Sequence, residues 1–307
     1  MNAQPSPPTS DLEYRWGRNF QEKAIEAMLF LAAFLAVAVT ASIMVILVTE
    51  SVGLFQTVSI VEFLTGTEWA PMFEPPTYGI LPLVCGTLMT SLIALIVAIP
   101  MGTLSAMYLS EFASLRAREW IKPSLEILAG IPTVVYGYFA LLFVTPLLQK
   151  ILPSLPGFNM LSPGIVMGIM IIPLVASISE DAMRSVPREL REGSYAAGAT
   201  RFQTALKVVF PAAISGISSS YILSVSRAVG ETMIVAIAAG LQPIITFNPL
   251  EPAATITAFI VQVSLGDLPH GSTAYQTIFA AGLVLALMTL VFNIFGHFLS
   301  KRYRENY

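Results

Sequence analysis

Charge is scarce in this chain. Of its 307 residues, 11% are Asp, Glu, Lys or Arg and 55% are hydrophobic. A water-soluble domain carries charge on roughly a quarter of its residues, so this chain cannot clothe a water-facing surface. Cysteine is nearly absent as well. Cys85 stands alone in an apolar run, which excludes an intramolecular disulfide and a thiolate metal set. The two histidines, His270 and His297, lack ligand-like spacing, and no metal centre is expected. No Gly-Lys dipeptide occurs. A phosphate-gripping loop of the Walker type is therefore excluded. If ATP drives this protein, another chain binds it.

What the sequence has in abundance is long apolar runs with charge clustered between them, the pattern of an all-α membrane protein. A spanning helix needs about 20 mostly apolar residues. Six runs qualify, at 27–48, 78–107, 127–148, 162–178, 211–241 and 273–299. The opening MNAQPSPPTS has no basic stretch followed by an apolar core, so it does not read as a cleaved leader. Residues 1–23 are expected to be a disordered cytoplasmic tail, and 24–307 a polytopic transmembrane domain. With six spans, all but two of the 16 basic residues fall on one side, from Arg15, Arg18 and Lys23 through Arg116, Arg118 and Lys122 to Lys301, Arg302 and Arg304. The exceptions are Lys150, in an opposite loop, and Arg227, within the fifth run. The positive-inside rule then places both termini in the cytoplasm. The opposite loops, 50–79 and 242–272, are acidic, with Glu50, Glu62, Glu68, Glu74, Glu251 and Asp267. They would either dock a partner outside or form a short amphipathic helix, as at 57–64.

Two segments carry the chemistry. The basic loop 184–211 contains REGSYAAGATRFQTALKVVFP from Arg191 to Pro211. Small residues around a central glycine suit a helix-turn-helix that docks into a partner's groove and passes its motion to the membrane helices. The plain alternative is an ordinary basic loop. In the fifth run, Arg227 falls near mid-depth, with Glu231 four residues on. Charge there costs about 2.5–3.5 kcal/mol on insertion scales, so such residues are functional candidates. Ser220, Ser224, Arg227 and Glu231 recur at spacings of four, three and four, which predicts one polar stripe along one helix face. A guanidinium matches a tetrahedral oxyanion bidentately, and serine hydroxyls add donors. Glu231 could neutralise Arg227 between cycles or pair with a base on a second subunit. The alternative is an Arg227–Glu231 pair that only orients the bundle. Gly130, Pro132 and Gly137 interrupt the third run, marking either a broken pathway helix or a kink that shapes packing. Gly164 and Gly168 form a G-x-x-x-G that would let another helix approach.

These segments resemble a known family. The loop is similar to the EAA loop of binding-protein-dependent importer permeases. Glu192, Gly198 and Pro211 match at the family spacing, while Gly193 and Ser194 replace its two alanines. RAVGET from Arg227 to Thr232 resembles the RALGET-type segment of the phosphate importer permeases, the PstC and PstA pair. AGIPTVVYG from Ala129 to Gly137 resembles their third span, and FLTGTEWAP from Phe63 to Pro71 the outer loop of the PstC member. The resemblance implies the type I ABC importer permease architecture in a bacterial inner membrane. It also implies a PstA-like sister permease, two copies of a PstB-like ATPase that would hold ATP and Mg, and a PstS-like phosphate-binding protein, so that this chain itself is expected to be no enzyme and to hold no cofactor, with membrane lipid as surroundings and no nucleic acid. Arg227 and Glu231 would be the family's intramembrane charges, and Glu192, Gly193, Ser194, Gly198 and Pro211 its ATPase-coupling loop. The expected function is ATP-driven phosphate import by alternating access. The same stripe would suit sulfate or molybdate, and an ion-coupled carrier, a channel or a membrane scaffold are rivals of other classes.

Overall fold

The computed structural model describes residues 16–266, 269 and 271–302. Most of the expected tail, together with Asp267 and His270, lies outside the described residues. The chain divides into two units, 1–46 and 47–307. In the first, helix α1 (Trp16–Phe55, which continues into the second unit) is already helical over 16–23, a stretch expected to be tail. From Ile25 to Ile46 its large apolar side chains are exposed, Phe30 at 71%. A helix apolar all round needs lipid or other helices around it.

The second unit is built on α3 (Leu81–Met107) and α7 (Leu161–Ser185). Small residues bring their backbones together. A Cβ on Gly168 would stand 2.7 Å from Val97 Cβ and 2.8 Å from the Ala94 carbonyl, and one on Gly102 would stand 2.5 Å from Val175 Cβ. Gly164 meets Ile93 in the same way, so the G-x-x-x-G does face a second helix. Between helices in lipid, close packing of this kind replaces the hydrophobic effect as the source of association. Hydroxyls within these helices bond back to the preceding turn, Thr87 to Leu83 O and Thr90 to Gly86 O, leaving few unsatisfied groups in an apolar medium. The α7 helix runs on to Ser185, past the expected end at 178, because Glu180 finds cationic partners instead of needing water.

Two of the expected spans are bent. The third consists of α4 (Leu115–Gly130) and, after an 88° turn, α5 (Thr133–Phe139), a π-helical turn and α6 (Thr145–Gln149). Pro132 stands at the turn in extended conformation, which a proline ring favours and a helix interior does not. The run expected to start at 127 therefore starts after this corner. Ahead of it, α4 is amphipathic, with Leu115, Trp120 and Ile127 exposed. The fifth consists of α9 (Arg201–Thr204), a π-helical turn, α10 (Phe210–Ala212) and, across a 71° bend, α11 (Ile214–Val229). Pro211 thus belongs to the segment before the bend, not to the first turn of the span. Among the described residues, four straight helices and these two bent pairs make up to six crossings.

The outer segments are folded rather than loose. Helix α2 (Ile60–Thr65) leads into a two-stranded antiparallel hairpin, β1 (Trp69–Ala70) and β2 (Thr77–Tyr78), with Trp69 opposite Tyr78. The helix expected at 57–64 exists, with Ile60, Val61 and Leu64 exposed, but its Phe63 is buried. Trp69 lies edge-on to both Phe63 and Phe259. Phe259 belongs to α13 (Ile256–Ser264), a helix too short to span, inside what the sequence presents as a long loop. The last helix, α14 (Thr273–Arg302), packs against α11 and α13.

Candidate functional site

Arg227 stands in the last turn of α11, ~20 Å along the helix axis from Ile214. Its side chain is exposed and lines a cavity of 210 Å³ together with Lys122, Glu126, Pro173, Ser177 and Glu180. The site therefore lies where α11 ends beside α4 and α7.

The polar stripe expected along the fifth span is not continuous. Helix α11 stops at Val229, and a separate short helix, α12 (Met233–Ala238), begins only after Gly230, Glu231 and Thr232. Glu231 falls in the break. Its carboxylate accepts from the backbone N–H groups of Met233 and Ile234 at 3.1 and 3.3 Å. It thus satisfies donors that a helix start leaves orphaned, and a negative charge suits that end of the helix dipole. The Thr257 hydroxyl closes the other side by donating to Glu231 O at 2.6 Å. Glu231 is buried and forms no ion pair with Arg227 among the described residues. The i, i+4 pairing expected from spacing fails because Gly230 ends the helix between the two.

The serines are placed differently again. Ser220 Oγ donates to Ile217 O at 2.8 Å and lies 2.8 Å from Ser179 Oγ on α7, while Ser224 Oγ donates to Ser220 O at 2.7 Å. Both are fully buried. Their hydroxyls tie α11 to α7 and to itself, not to the cavity. Similar polar links hold α11 to α3, through Tyr221 and Thr103 at 2.7 Å, and to α14, through Ser226 and Asn293 at 2.9 Å.

The third-span glycines divide by role. Gly130 is open, and Pro132 makes the corner. Gly137 packs against α12, where a Cβ would come 2.8 Å from Ile237 Cδ1 and 3.1 Å from Met233 O. The α5 segment therefore braces the short helix that Glu231 caps.

Glu180 is the residue that sequence reasoning missed. It is completely buried, yet its carboxylate meets Arg118 at 2.7 Å, Lys122 at 3.2 Å and Arg184 at 3.5 Å. Lys122 also reaches Asp181 at 3.5 Å. A buried charge survives only when paired in this way. The signal was present: Arg118 and Lys122 are one turn apart on α4, as are Glu180 and Arg184 on α7.

The loop 184–211 forms the expected helix-turn-helix. Helix α8 (Arg188–Ala196) and α9 are joined by Gly198 at φ +82°, a left-handed conformation that costs other residues about 1–2 kcal/mol. Thr200 and Gln203 make a capping box at the start of α9, and the hydroxyls of Ser194 and Thr204 lie 2.8 Å apart, clasping the two helices. Glu192 and Gly193 face outward, and a Cβ on Gly193 would touch nothing. Arg191 anchors α8 from behind. It pairs with the buried Glu111 at 3.0 Å and donates to Met183 O at 2.7 Å.

A membrane-embedded helical bundle with bent spans, an exposed guanidinium at a helix break and a presented surface helix pair defines the permease of a type I ABC importer. The chain belongs to the family of binding-protein-dependent transport system inner membrane components, whose description matches residues 98–305. It is a multi-pass inner membrane protein. It is 34% identical over 290 residues to the probable ABC transporter permease protein YqgH of Bacillus subtilis, covering 94% of each chain. The phosphate transport system permease protein PstC of Xylella fastidiosa is 32% identical over 249 residues, 75% of each chain. The probable PstC of Methanocaldococcus jannaschii is 32% identical over 265 residues, 80% of this chain and 82% of that one. In fold, the chain resembles a bacterial alginate ABC transporter solved with an alginate pentasaccharide-bound periplasmic protein, with a TM-score of 0.67 at 19% identity over 96% and 99% of the two chains. It also resembles an inward-facing MetNI methionine ABC transporter, with a TM-score of 0.55 at 17% identity over 74% and 95%.

Proposed function

We propose that this chain is the PstC-type pore-forming subunit of an ATP-driven importer that moves inorganic phosphate across the inner membrane by alternating access. The observation that carries this reading is Arg227, an exposed guanidinium in the last turn of an apolar helix, at a point where the backbone breaks. Relatives named for phosphate transport, similar over three quarters of the chain, supply the substrate class. Phosphate would meet Arg227, which offers bidentate donors to an oxyanion. Glu231, Ser220 and Ser224 would act by holding the helix that presents it, and the corner at Gly130 and Pro132, with Gly137 braced on α12, would let that helix shift. Both termini and the helix pair α8–α9 would lie in the cytoplasm. A PstA-like sister chain would complete the pore, two PstB-like subunits would hold ATP and Mg, and a PstS-like protein would deliver phosphate outside.

The test is uptake of labelled phosphate and sulfate by the reconstituted complex. Phosphate uptake that excess sulfate does not suppress supports the reading, and the reverse preference assigns the chain to another oxyanion. Transport by this chain alone, without ATPase, would make it a carrier or channel. Glu192 would contact the ATPase, so Glu192→Ala should reduce ATPase co-purification or substrate-stimulated hydrolysis, and unchanged coupling would count against the docking role.

A further inference from the structure

A second cationic site lies at the junction of α4, the end of α7 and the start of α8. Arg118, Arg184, Arg188 and Arg191 share the wall of one cavity of 250 Å³ with Ser110 and Leu115. Four guanidiniums there meet only two carboxylates. Glu180 answers Arg118 and Arg184, and it is shared further with Lys122; Glu111 answers Arg191. The Ser110 hydroxyl is occupied by Glu111 at 2.9 Å. Arg188 has no ion pair and no side-chain hydrogen bond among the described residues, and it is exposed.

The placement of these charges opposes local electrostatics. Arg188 opens α8 and Arg191 follows one turn later. The start of a helix carries a partial positive charge and favours anions. Glu189, the acidic residue of that turn, is exposed and is not part of the cavity wall. Excess positive charge beside a helix start is unfavourable until an anion enters. A phosphate group would accept from several guanidiniums at once, the geometry arginine serves best. Leu115, in the cavity wall, is 80% exposed and Trp120 is 78% exposed on the same helix. Exposed apolar and indole side chains on an amphipathic helix mark the headgroup level of a bilayer.

We propose that this cavity binds a phosphate group, carried either by free inorganic phosphate or by an anionic lipid headgroup, and that the bound group clamps α8 to α7 and α4. The cavity is a different one from that of Arg227, although Leu109 borders both and Glu180 of Arg227's cavity pairs with Arg118 and Arg184, and the proposal does not depend on which solute the transporter imports. Because α8 presents Glu192, an occupied site would stiffen the surface through which the helix pair is moved.

Arginine-selective modification with phenylglyoxal, read residue by residue by mass spectrometry, tests this on the assembled transporter. The starting point is the complex in maltoside detergent and phosphate-free buffer. Inorganic phosphate is added in one arm and phosphatidylglycerol in the other, with chloride at matched ionic strength as the control. Modification of Arg184 and Arg188 should slow severalfold in at least one arm, while Arg201, exposed on α9 and outside the cavity, keeps its rate. Protection by phosphate alone assigns the free anion, protection by the lipid alone assigns the headgroup, and protection by both assigns the shared chemistry. In the Arg188→Gln variant, protection of Arg184 should weaken severalfold. Equal slowing of Arg201, no protection in either arm, or full protection of Arg184 in that variant overturns the proposal.

Discussion

The α3–α7 seam and the fifth span are both helical, yet they are built on opposite principles. In the seam, glycines allow backbones so close that an added Cβ would collide with its neighbour. Hydroxyls such as those of Thr87 and Thr90 are satisfied within their own helix, and the core of Ala94, Ala98, Val166, Met170 and Ile171 is sealed. The fifth span is interrupted twice, by the 71° bend before Ile214 and by the turn at Gly230. Arg227 and Glu231 flank the second of these interruptions, Arg227 exposed and Glu231 spent on a new helix start. The contrast teaches that this bundle keeps a rigid pair of helices as its frame and places reactive charge where the backbone is released. Close-packed interfaces move as units, and motion is taken up at a few breaks.

The largest expected effect falls on the interrupted side. Arg227→Gln should lower phosphate uptake by the reconstituted complex at least ~100-fold, a loss of about 2.7 kcal/mol. The complex should still assemble, and normal uptake would remove the proposed site. On the frame side, Gly168→Leu should destabilise the chain by about 1–3 kcal/mol, as overpacking does. A thermal unfolding midpoint unchanged by this substitution would mean that the seam is loose. Between the two lies the helix pair α8–α9. There Gly198→Ala should cost about 1–2 kcal/mol through its positive φ, whereas Gly193→Ala, which meets open space, should strengthen α8 by up to about 1 kcal/mol. Equal midpoints for the two variants would contradict this difference.

The smallest effect concerns the outer segment. Hydrogen bonds from the Thr246 hydroxyl and the Asn248 side-chain amide hold the Glu251 carboxyl below its ordinary range. A carboxyl depressed on folding contributes stability above its unfolded value of about 4.5, and that contribution is lost as pH falls through the lower, folded value. Amide exchange over 246–254 should therefore be equally protected at pH 7 and pH 6 and become faster, after correction for intrinsic rates, only in strong acid. Loss of protection near neutral pH would assign the order of this segment to another group.

Much of the frame was legible in the sequence. Apolar length locates spans because lipid offers no hydrogen bonds, and G-x-x-x-G at Gly164 and Gly168 points to a close helix partner. The helix-turn-helix at 184–211 was legible too, since small residues around Gly198 are a local signal, and the structure added the Thr200–Gln203 capping box. The site was only half legible. Arg227 announces itself by charge in an apolar run, but periodicity treated Pro211 to Leu241 as one helix and so aligned Glu231 and the serines with it. Helix α13 escaped because it is too short for a span, and Glu180 because its partners Arg118 and Lys122 lie on a helix about 60 residues away.

By itself, then, the sequence determined that this protein lives in a membrane and where its long apolar runs fall, because these follow from composition and from contacts within a few residues. Only the tertiary structure decided that Glu231 caps a helix instead of pairing with Arg227, that Ser220 meets Ser179 of α7 while Ser224 bonds within its own helix, and that Glu180 gathers Arg118, Lys122 and Arg184. Those outcomes depend on where helices end and cross, and the free energy of a buried charge is set by neighbours distant in the chain.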